Sequence, residues 1–587
     1  MDSEKIKTRI FKGIGASPGI VIGEARVAER SRVVVVETSI PSDDIQSEIK
    51  RFHEALNKTR EQLHSIKEQI TRSSGTEHLY VIDTHLMILD DSMLTSETIE
   101  TIKDAGINAE AALKRTLKKF MRFFDGIEDE YLRERSSDVE TVVERVLRNM
   151  LGKRHELLGE TEGRVIVIAH DLSPADILQV DKEKVIGFVT DLGGKTSHTA
   201  ILARSLEIPA VLGLEKITTE ISDGDALIID GDKGIVIVHP DEETFRDYLQ
   251  HKQYYEYRER ELLKLKDLPA ETLDGHRILL KGNVEFIEEV PSIMKHGGEG
   301  IGLYRTEMLF IGRSFVPDEE EQYQAYVEVV RRMSPFPVTI RTLDVGGDKF
   351  VNELNLTDEL NPALGLRAIR LSLRCPELFK TQLRAILRAS AHGKVKIFFP
   401  MISGVAEIRE AKALLEVAKS ELRKGGIPFD EEIEIGIMIE TPSAVLIADL
   451  LAREVDFFSV GTNDLIQYSL AIDRTNEHLS SLYEPMHPAV LRSLKLVSDA
   501  AHEAEISVCI CGEMAGEPNY LPILLGLGFD ELSMNAVSIP KVKHILRRCS
   551  KIEAEILVDQ ALKFSTANDV ELYLQREITT KFADSFD

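Results

Sequence analysis

The sequence predicts an α/β protein of several domains: a mixed-sheet domain that carries one unusual histidine, a helical bundle inserted into it, a linker helix, and a closed (β/α)8 barrel. Three observations predict this. After residue 268, about eight apolar strand candidates alternate with helical stretches, the pattern of a parallel sheet rolled into a barrel. Nearer the N-terminus, Ile45, Ile49, Phe52, Leu56, Thr59, Leu63, Ile66 and Ile70 step by four and three, a helix–helix seam set within glycine-punctuated strand sequence. And a length of 587 residues exceeds one ordinary core.

In chain order, Phe11 to Val27 reads as strand broken by Gly13, Gly15, Gly19 and Gly23, with the apolar run Val33 to Val36 behind it. Helical patterning then runs to about Leu151. Asn108 is the expected N-cap before Leu113, Leu117, Phe120 and Phe124, and Val139, Val142, Val143, Val146 and Leu147 share a later face. Strand character returns at Arg164 to Ala169, Val185 to Thr190, Ala210 to Leu212 and Ala226 to Val238, with turns at Asp223-Gly224-Asp225 and Asp230-Gly231-Asp232. From 244 to 268 the chain is charged nearly all round, as a helix that bridges domains is. The expected division is 1–40 plus 152–240 for the sheet domain, 41–151 for the bundle, 241–268 for the linker and 269–587 for the barrel. The barrel strands expected are Ile278 to Val284, Gly300 to Tyr304, Pro337 to Leu343, Lys394 to Pro400, Glu434 to Ile439, Phe457 to Val460, Ser507 to Ile510 and Glu531 to Met534.

Composition narrows the function. A net charge of −27 argues against nucleic acid, whose phosphates it would repel, and suits a basic protein partner or plain solubility. Cys375, Cys509, Cys511 and Cys549 form no CxxC pair and no disulfide framework, so a reducing compartment is expected. The N-terminus has no signal-like apolar core, and no apolar run reaches about 18 residues. A cytoplasmic protein without membrane insertion is therefore the expectation.

Among 16 histidines one stands apart. In Gly193-Gly194-Lys195-Thr196-Ser197-His198-Thr199-Ala200-Ile201-Leu202-Ala203-Arg204, glycines and hydroxyl residues surround His198 and an apolar-periodic helix start follows. Unpaired backbone N–H groups and the positive end of the helix dipole favour an anion there, such as a phosphoryl group on the imidazole. The same field disfavours imidazolium and keeps the ring nucleophilic. A lone histidine more often only fills a helical turn, but the flanking residues change that weighting. This contiguous stretch resembles the phosphohistidine signature of phosphoenolpyruvate-utilising enzymes.

In the C-terminal half, polar residues recur just past the strand candidates: Asn283, Arg305, Arg341 with Asp344, Glu440, Asn463 with Asp464, Cys511 with Glu513, and Asn535. Barrel active sites form at that face, so these positions converge in space. Glu440 and Asp464 are two carboxylates ending separate strands, suited to Mg²⁺ together with phosphate oxygens; as lone residues either would serve equally as a helix cap. Arg305, Arg341, Arg367 and Arg474 offer cationic forks for phosphate and carboxylate, whereas Arg370, Arg374 and Arg384 read as surface salt bridges. Gly346-Gly347-Asp348-Lys349 is a weak backbone-nest signal. Cys509 reads as a buried small hydrophobe, and Cys511, at its strand end, as a thiol able to give a proton to an enolate carbon.

The run Asp456-Phe457-Phe458-Ser459-Val460-Gly461-Thr462-Asn463-Asp464-Leu465-Ile466-Gln467-Tyr468 with Arg474 is similar to the second signature of the same enzymes. With Gly302-Leu303-Tyr304-Arg305-Thr306-Glu307 and Arg341-Thr342-Leu343-Asp344, the whole chain resembles the enzyme I family of the phosphoenolpyruvate-dependent sugar phosphotransferase system. That resemblance implies phosphorylation of His198, phosphate binding by Arg305 and Arg341, and phosphoenolpyruvate held by Asn463, Asp464 and Arg474. It further implies Mg²⁺ on Glu440 and Asp464, and proton delivery by Cys511 to give pyruvate. The helical insert then docks the small phosphocarrier protein HPr around His85, Met87, Asp90 and Asp91, although His85 and Met87 read equally as bundle core. A homodimer through the barrel is implied too. Three rival readings stand beside it: a dikinase or synthase that charges the histidine from ATP, a Mg²⁺-dependent carbon–carbon lyase on the same barrel, and a catalytically idle scaffold that only binds partners, which leaves the strand-end convergence unexplained.

Overall fold

The computed structural model describes residues 7–28, 35–73, 79–124, 130–152, 163–172, 177, 180–181, 183–194, 198–310, 316–346, 361–473, 479 and 482–586. They belong to two compact units, 1–258 and 259–587.

In the first unit the strands are β1 (Arg9–Lys12), β2 (Ile14–Ser17), β3 (Ile20–Val27), β4 (Val165–Ala169), β5 (Val185–Thr190), β6 (Ala210–Leu212), β7 (Ala226–Asp230) and β8 (Ile235–Val238). They form one eight-stranded sheet in the order β1-β8-β7-β3-β4-β5-β6-β2. The run β3-β4-β5-β6 is parallel, and antiparallel partners flank it. Both faces of the central strands are covered. Val167, Ala169 and Phe188 pack with Ala200, Leu202 and Ala203 on one side, while Ile166, Ile168 and Val189 pack with Ile229 and Val236 on the other. That is why β4 and β5 read as nearly continuous apolar runs. The expected strand Phe11 to Val27 divides into three, and a close approach explains one of its glycines: a Cβ on Gly15 would stand 2.3 Å from the Gly231 carbonyl oxygen.

Between β3 and β4 lie helices α1 (Ile45–Ser73), α2 (Leu79–Asp90), α3 (Ser92–Ala105), α4 (Ala109–Phe124) and α5 (Glu130–Met150). The expected seam is inward-facing: Ile49, Phe52, Leu56, Leu63 and Ile66 are buried in one cluster with Leu94, Ile102, Leu113, Val142, Val143 and Val146. Buried Thr59 satisfies its hydroxyl by donating to the Ala55 carbonyl at 2.8 Å. Asn108 does precede α4, and its carbonyl accepts from the Ala112 N–H. Its side chain does not cap the helix, however; Oδ1 accepts from the Thr38 N–H at 3.0 Å, and Glu48 takes the Ala109 N–H at 2.7 Å. A long-range carboxylate supplies the cap that sequence reasoning assigned to the local amide. Arg51 completes the arrangement, reaching Glu48 and Glu110 at 2.6 Å each. Of the apolar run Val33 to Val36, residues 33 and 34 lie outside the described residues and 35 and 36 are in no regular element.

The charged stretch forms the helix Glu242–Leu263, whose start is capped by Asp241 accepting from the Thr244 N–H at 2.8 Å. Within the second unit the chain leaving that helix is clamped. Lys543 Nζ donates to the Lys266 carbonyl at 2.9 Å and Arg547 to the Pro269 carbonyl at 2.6 Å.

The second unit is a closed parallel barrel of β9 (Leu279–Val284), β10 (Ile301–Tyr304), β11 (Val338–Arg341), β12 (Val395–Phe399), β13 (Glu434–Ile439), β14 (Phe457–Val460), β15 (Ser507–Ile510) and β16 (Glu531–Met534). Strand β16 pairs with β9 to close it. Its lumen is packed rather than open. Leu303, Phe398, Met438, Phe457 and Cys511 form one inner layer, and the buried Lys281 pairs with Glu531 at 2.6 Å. Among the described residues no helix is long and apolar enough to cross a membrane.

Candidate active site

Each unit presents one constellation. In the first, the ends of β4 and β5 are tied together: His170 Nδ1 lies 2.8 Å from Asp191 Oδ2, and Asp191 Oδ1 accepts the Thr218 N–H at 3.0 Å. The Asp191 side chain is buried among these partners, which pin the strand end by hydrogen bonds where the chain departs into Gly193 at φ +114°. The helix His198–Ser205 follows. Its first turn is stapled to the sheet domain by the Thr199 hydroxyl, which donates to the Leu172 carbonyl at 2.8 Å. The backbone of His198 is thus the first helical residue, as expected. Residues 195–197 and the His198 side chain lie outside the described residues.

In the second unit the strand ends converge at the carboxyl mouth of the barrel. Arg341, the last residue of β11, is buried; its guanidinium meets Glu307 Oε1 at 3.0 Å and Asp344 Oδ2 at 2.9 Å. Asp344 also meets Arg367 at 2.9 Å, and Arg367 lies 4.0 Å from Asp464. Burial pushes the Asp344 carboxyl up, but the charges of Arg341 and Arg367 outweigh it and hold that carboxyl below its ordinary value. Alternating charges therefore run across the mouth, with both arginines held by anions that a phosphate could replace.

Glu440, just past β13, has the opposite balance. Burial pushes its carboxyl well above 4.5, and the charges of Asp464 and Asp344 push the same way. Its Oε1 accepts the Met401 N–H at 2.5 Å. Its Oε2 lies against the backbone, since a Cβ on Gly461 would stand 2.8 Å from that atom. Cys511, following β15, is also buried, and burial pushes its thiol up to about 11 against the opposing influence of the Ser459 hydroxyl and Arg341. A thiol so placed keeps its proton at neutral pH and can donate it. Asn283 Nδ2 donates to the Cys511 carbonyl at 2.9 Å. Asn463 Oδ1 accepts the Glu513 N–H at 3.1 Å.

Of the residues expected from sequence, the fold brings Arg341, Glu440, Asp464 and Cys511 to this mouth. Arg305 ion-pairs with Glu285 there and acts electrostatically on both Asp344 and Cys511. Arg474 and residues 347–349 of the glycine nest lie outside the described residues. Arg384 is an ion-pairing residue as expected, but it is half-buried and bridges Glu319 at 2.6 Å and Glu421 at 3.0 Å. Cys509 is buried, also as expected. Sequence reasoning assigned no role to Glu307, which orients Arg341, or to Ser459, whose hydroxyl touches Cys511. Both lie within the quoted motifs; for Ser459 the signal available was a polar residue inside an otherwise apolar strand, and for Glu307 a carboxylate two residues past Arg305.

Among the described residues, no group of three or more His, Cys, Asp or Glu side chains is arranged to hold a metal ion. Two carboxylates alone, one of them destabilised by its neighbour's charge, fit a hard cation that draws its other ligands from substrate oxygens and water.

Three family models match the chain: the N-terminal region of phosphoenolpyruvate-utilising enzymes over residues 12–135, their mobile domain over 161–234, and their phosphoenolpyruvate-binding domain over 259–551. Fold, strand-end site and these matches together define a phosphoenolpyruvate-utilising enzyme. A phosphoenolpyruvate-protein phosphotransferase of Haemophilus influenzae is 44% identical over 566 residues, 96% of this chain and 98% of that protein. One from Bacillus subtilis is 44% identical over 565 residues, 96% of this chain and 99% of that protein. A solution structure of an Enzyme I protein shares 41% identity over 42% of this chain and 99% of that one, with a TM-score of 0.37. The chain belongs to the phosphoenolpyruvate-protein phosphotransferase family.

Proposed function

We propose that the chain takes the phosphoryl group of phosphoenolpyruvate onto His198, passes it to a histidine of the phosphocarrier protein HPr, and releases pyruvate, the first step of a sugar phosphotransferase system. The observation that carries this reading is the meeting of arginine forks, a carboxylate pair and a protonated thiol at one barrel mouth, in a chain of this family. Arg305 and Arg341, with Asn463, Asp464 and Arg474, hold the substrate and offset charge on the transferring group while His198 attacks in line. The bridging P–O bond breaks, the N–P bond forms, and enolpyruvate remains for Cys511 to protonate at C3. Glu440 and Asp464 would hold Mg²⁺, which supplies charge neutralisation at the phosphate and enol oxygens when bound.

One imidazole cannot serve donor and acceptor at the same place, so the sheet domain (1–40 plus 152–240) alternates between the barrel (269–587) and the carrier docked on the insert (41–151), through the linker 241–268. Support for docking on the insert comes from the exposure of Asp90, Asp91 and Met87, the last 49% exposed. His85 has 0% exposure and supports that surface from the bundle core instead of touching the partner. A cytoplasmic homodimer formed through the barrel completes the reading.

The test is incubation with radiolabelled phosphoenolpyruvate and Mg²⁺. An acid-labile, base-stable label on the peptide containing His198 supports the reading; label from ATP alone, or none, overturns it.

The metal assignment carries its own prediction. A carboxyl raised on folding means that the folded chain binds more protons than the unfolded one above 4.5, so ionising Glu440 erodes stability as pH rises through its folded value. A cation between the carboxylates removes that cost. Mg²⁺ is therefore expected to raise the unfolding temperature more at a pH where Glu440 is ionised in the folded chain than at a lower pH where it keeps its proton. Glu440→Gln should raise the metal-free midpoint at the higher pH and abolish most of the Mg²⁺ increment. Equal increments in both proteins would remove Glu440 from the metal site.

A further inference from the structure

One buried hydroxyl behind the barrel mouth is bonded to a thiol. Ser459, on β14, is 1% exposed, and its Oγ donates to Cys511 Sγ at 3.3 Å. That hydroxyl has no other hydrogen-bond partner among the described residues. The sulfur lies 3.4 Å from the Val460 carbonyl oxygen as well, which accepts the S–H proton. The remaining wall is apolar: Leu303, Phe398, Met438 and Phe457 pack with Cys511 in one cluster. A serine whose only hydroxyl bond goes to a neutral thiol is a poor choice for filling a barrel lumen, because alanine would fill it without a polar group to desolvate. It becomes a good choice if the sulfur carries negative charge for part of the cycle, since a hydrogen bond to a charged acceptor is about twice as strong as one to a neutral acceptor.

We infer that Ser459 is a positioning residue for proton delivery: its hydroxyl orients the Cys511 thiol and stabilises the thiolate left when the proton departs. The inference rests on the function proposed above. In the step, the S–H bond breaks and its electron pair stays on sulfur. The proton goes to C3 of enolpyruvate, whose C=C electron pair forms the C3–H bond while the enol oxygen closes to C=O. Solvent water then returns a proton to the thiolate. Arg341 and Arg305 assist the thiolate from the mouth, and Glu440 opposes it. Ser459 acts on the same atom from the lumen side, and among the described residues its hydroxyl is the one side-chain donor hydrogen-bonded to that sulfur.

The test uses the full-length protein with Ser459→Ala, and Ser459→Thr to restore the hydroxyl. Two rates separate the roles: transfer of label from radioactive phosphoenolpyruvate to His198, and release of tritium from C3 of pyruvate by the phosphorylated protein, which runs the protonation in reverse. Facial selectivity of C3 protonation, read from stereospecifically deuterated and tritiated phosphoenolpyruvate, is the third readout. For Ser459→Ala we expect labelling within about twofold of wild type, tritium release slowed about tenfold, and reduced facial selectivity, with tritium release recovered in Ser459→Thr. Unchanged tritium release and selectivity in Ser459→Ala overturn the inference, as does an equal loss in both rates, which would mark a lumen filler. A wild-type protein that takes no label overturns the phosphotransfer reading, and this inference with it.

Discussion

His198→Ala is expected to abolish the acid-labile label from phosphoenolpyruvate and to lower phosphotransfer to the carrier by about 10⁴-fold or more, because the covalent route loses its only nucleophile. The fold should survive. Alanine is the best helix former, Thr199 anchors the first turn through the Leu172 carbonyl, and the sheet end is fixed by Asp191. Far-UV circular dichroism and the unfolding midpoint are therefore expected to stay near wild type while the label disappears. Turnover of phosphoenolpyruvate that persists in the variant would favour the lyase reading, in which the histidine has no task.

The second large effect is expected at Arg341, where lysine keeps the charge and loses the fork. The guanidinium spans Glu307 and Asp344 at 3.0 and 2.9 Å, while an ammonium is a point charge that serves one of them well. One buried carboxylate is then left poorly paired, which costs about 2–4 kcal/mol of folding stability, read by urea titration. Loss of two-point contact with the phosphoryl oxygens is expected to lower kcat/KM for phosphoenolpyruvate by about 10²–10³-fold, because those contacts strengthen as charge develops. A variant with normal KM and normal labelling rate would show that Arg341 is a structural ion pair and nothing more.

What could be read without the fold depended on short-range pattern. Strands Glu434–Ile439, Phe457–Val460, Ser507–Ile510 and Glu531–Met534 stand where the apolar runs place them, and α1 spans the seam from Ile45. The strand-end positions of Arg341, Glu440 and Cys511 were legible for the same reason: each directly follows or ends an apolar run. Asn108 marks the limit, since its place at a helix start was visible and the use of its side chain was not. His85 shows the same limit, because a residue in a recognisable stretch can still face the core.

Sequence by itself therefore determined the alternation that closes a barrel, the seam that makes a bundle, the histidine at a helix start and the polar residues at the strand ends. All of these rest on periods of two and 3.6 residues or on contiguous motifs, which act within a few residues along the chain. Only the tertiary structure decided that Glu307 turns Arg341, that Asp344 joins two arginines, that Asp464 raises Glu440, and that Ser459 meets Cys511. Most of those partners come from different βα units of the barrel, Glu307 standing 34 positions before Arg341 and Ser459 52 positions before Cys511. Electrostatic shifts and hydrogen bonds depend on the through-space distance and burial that closure of the barrel imposes, and local sequence carries neither.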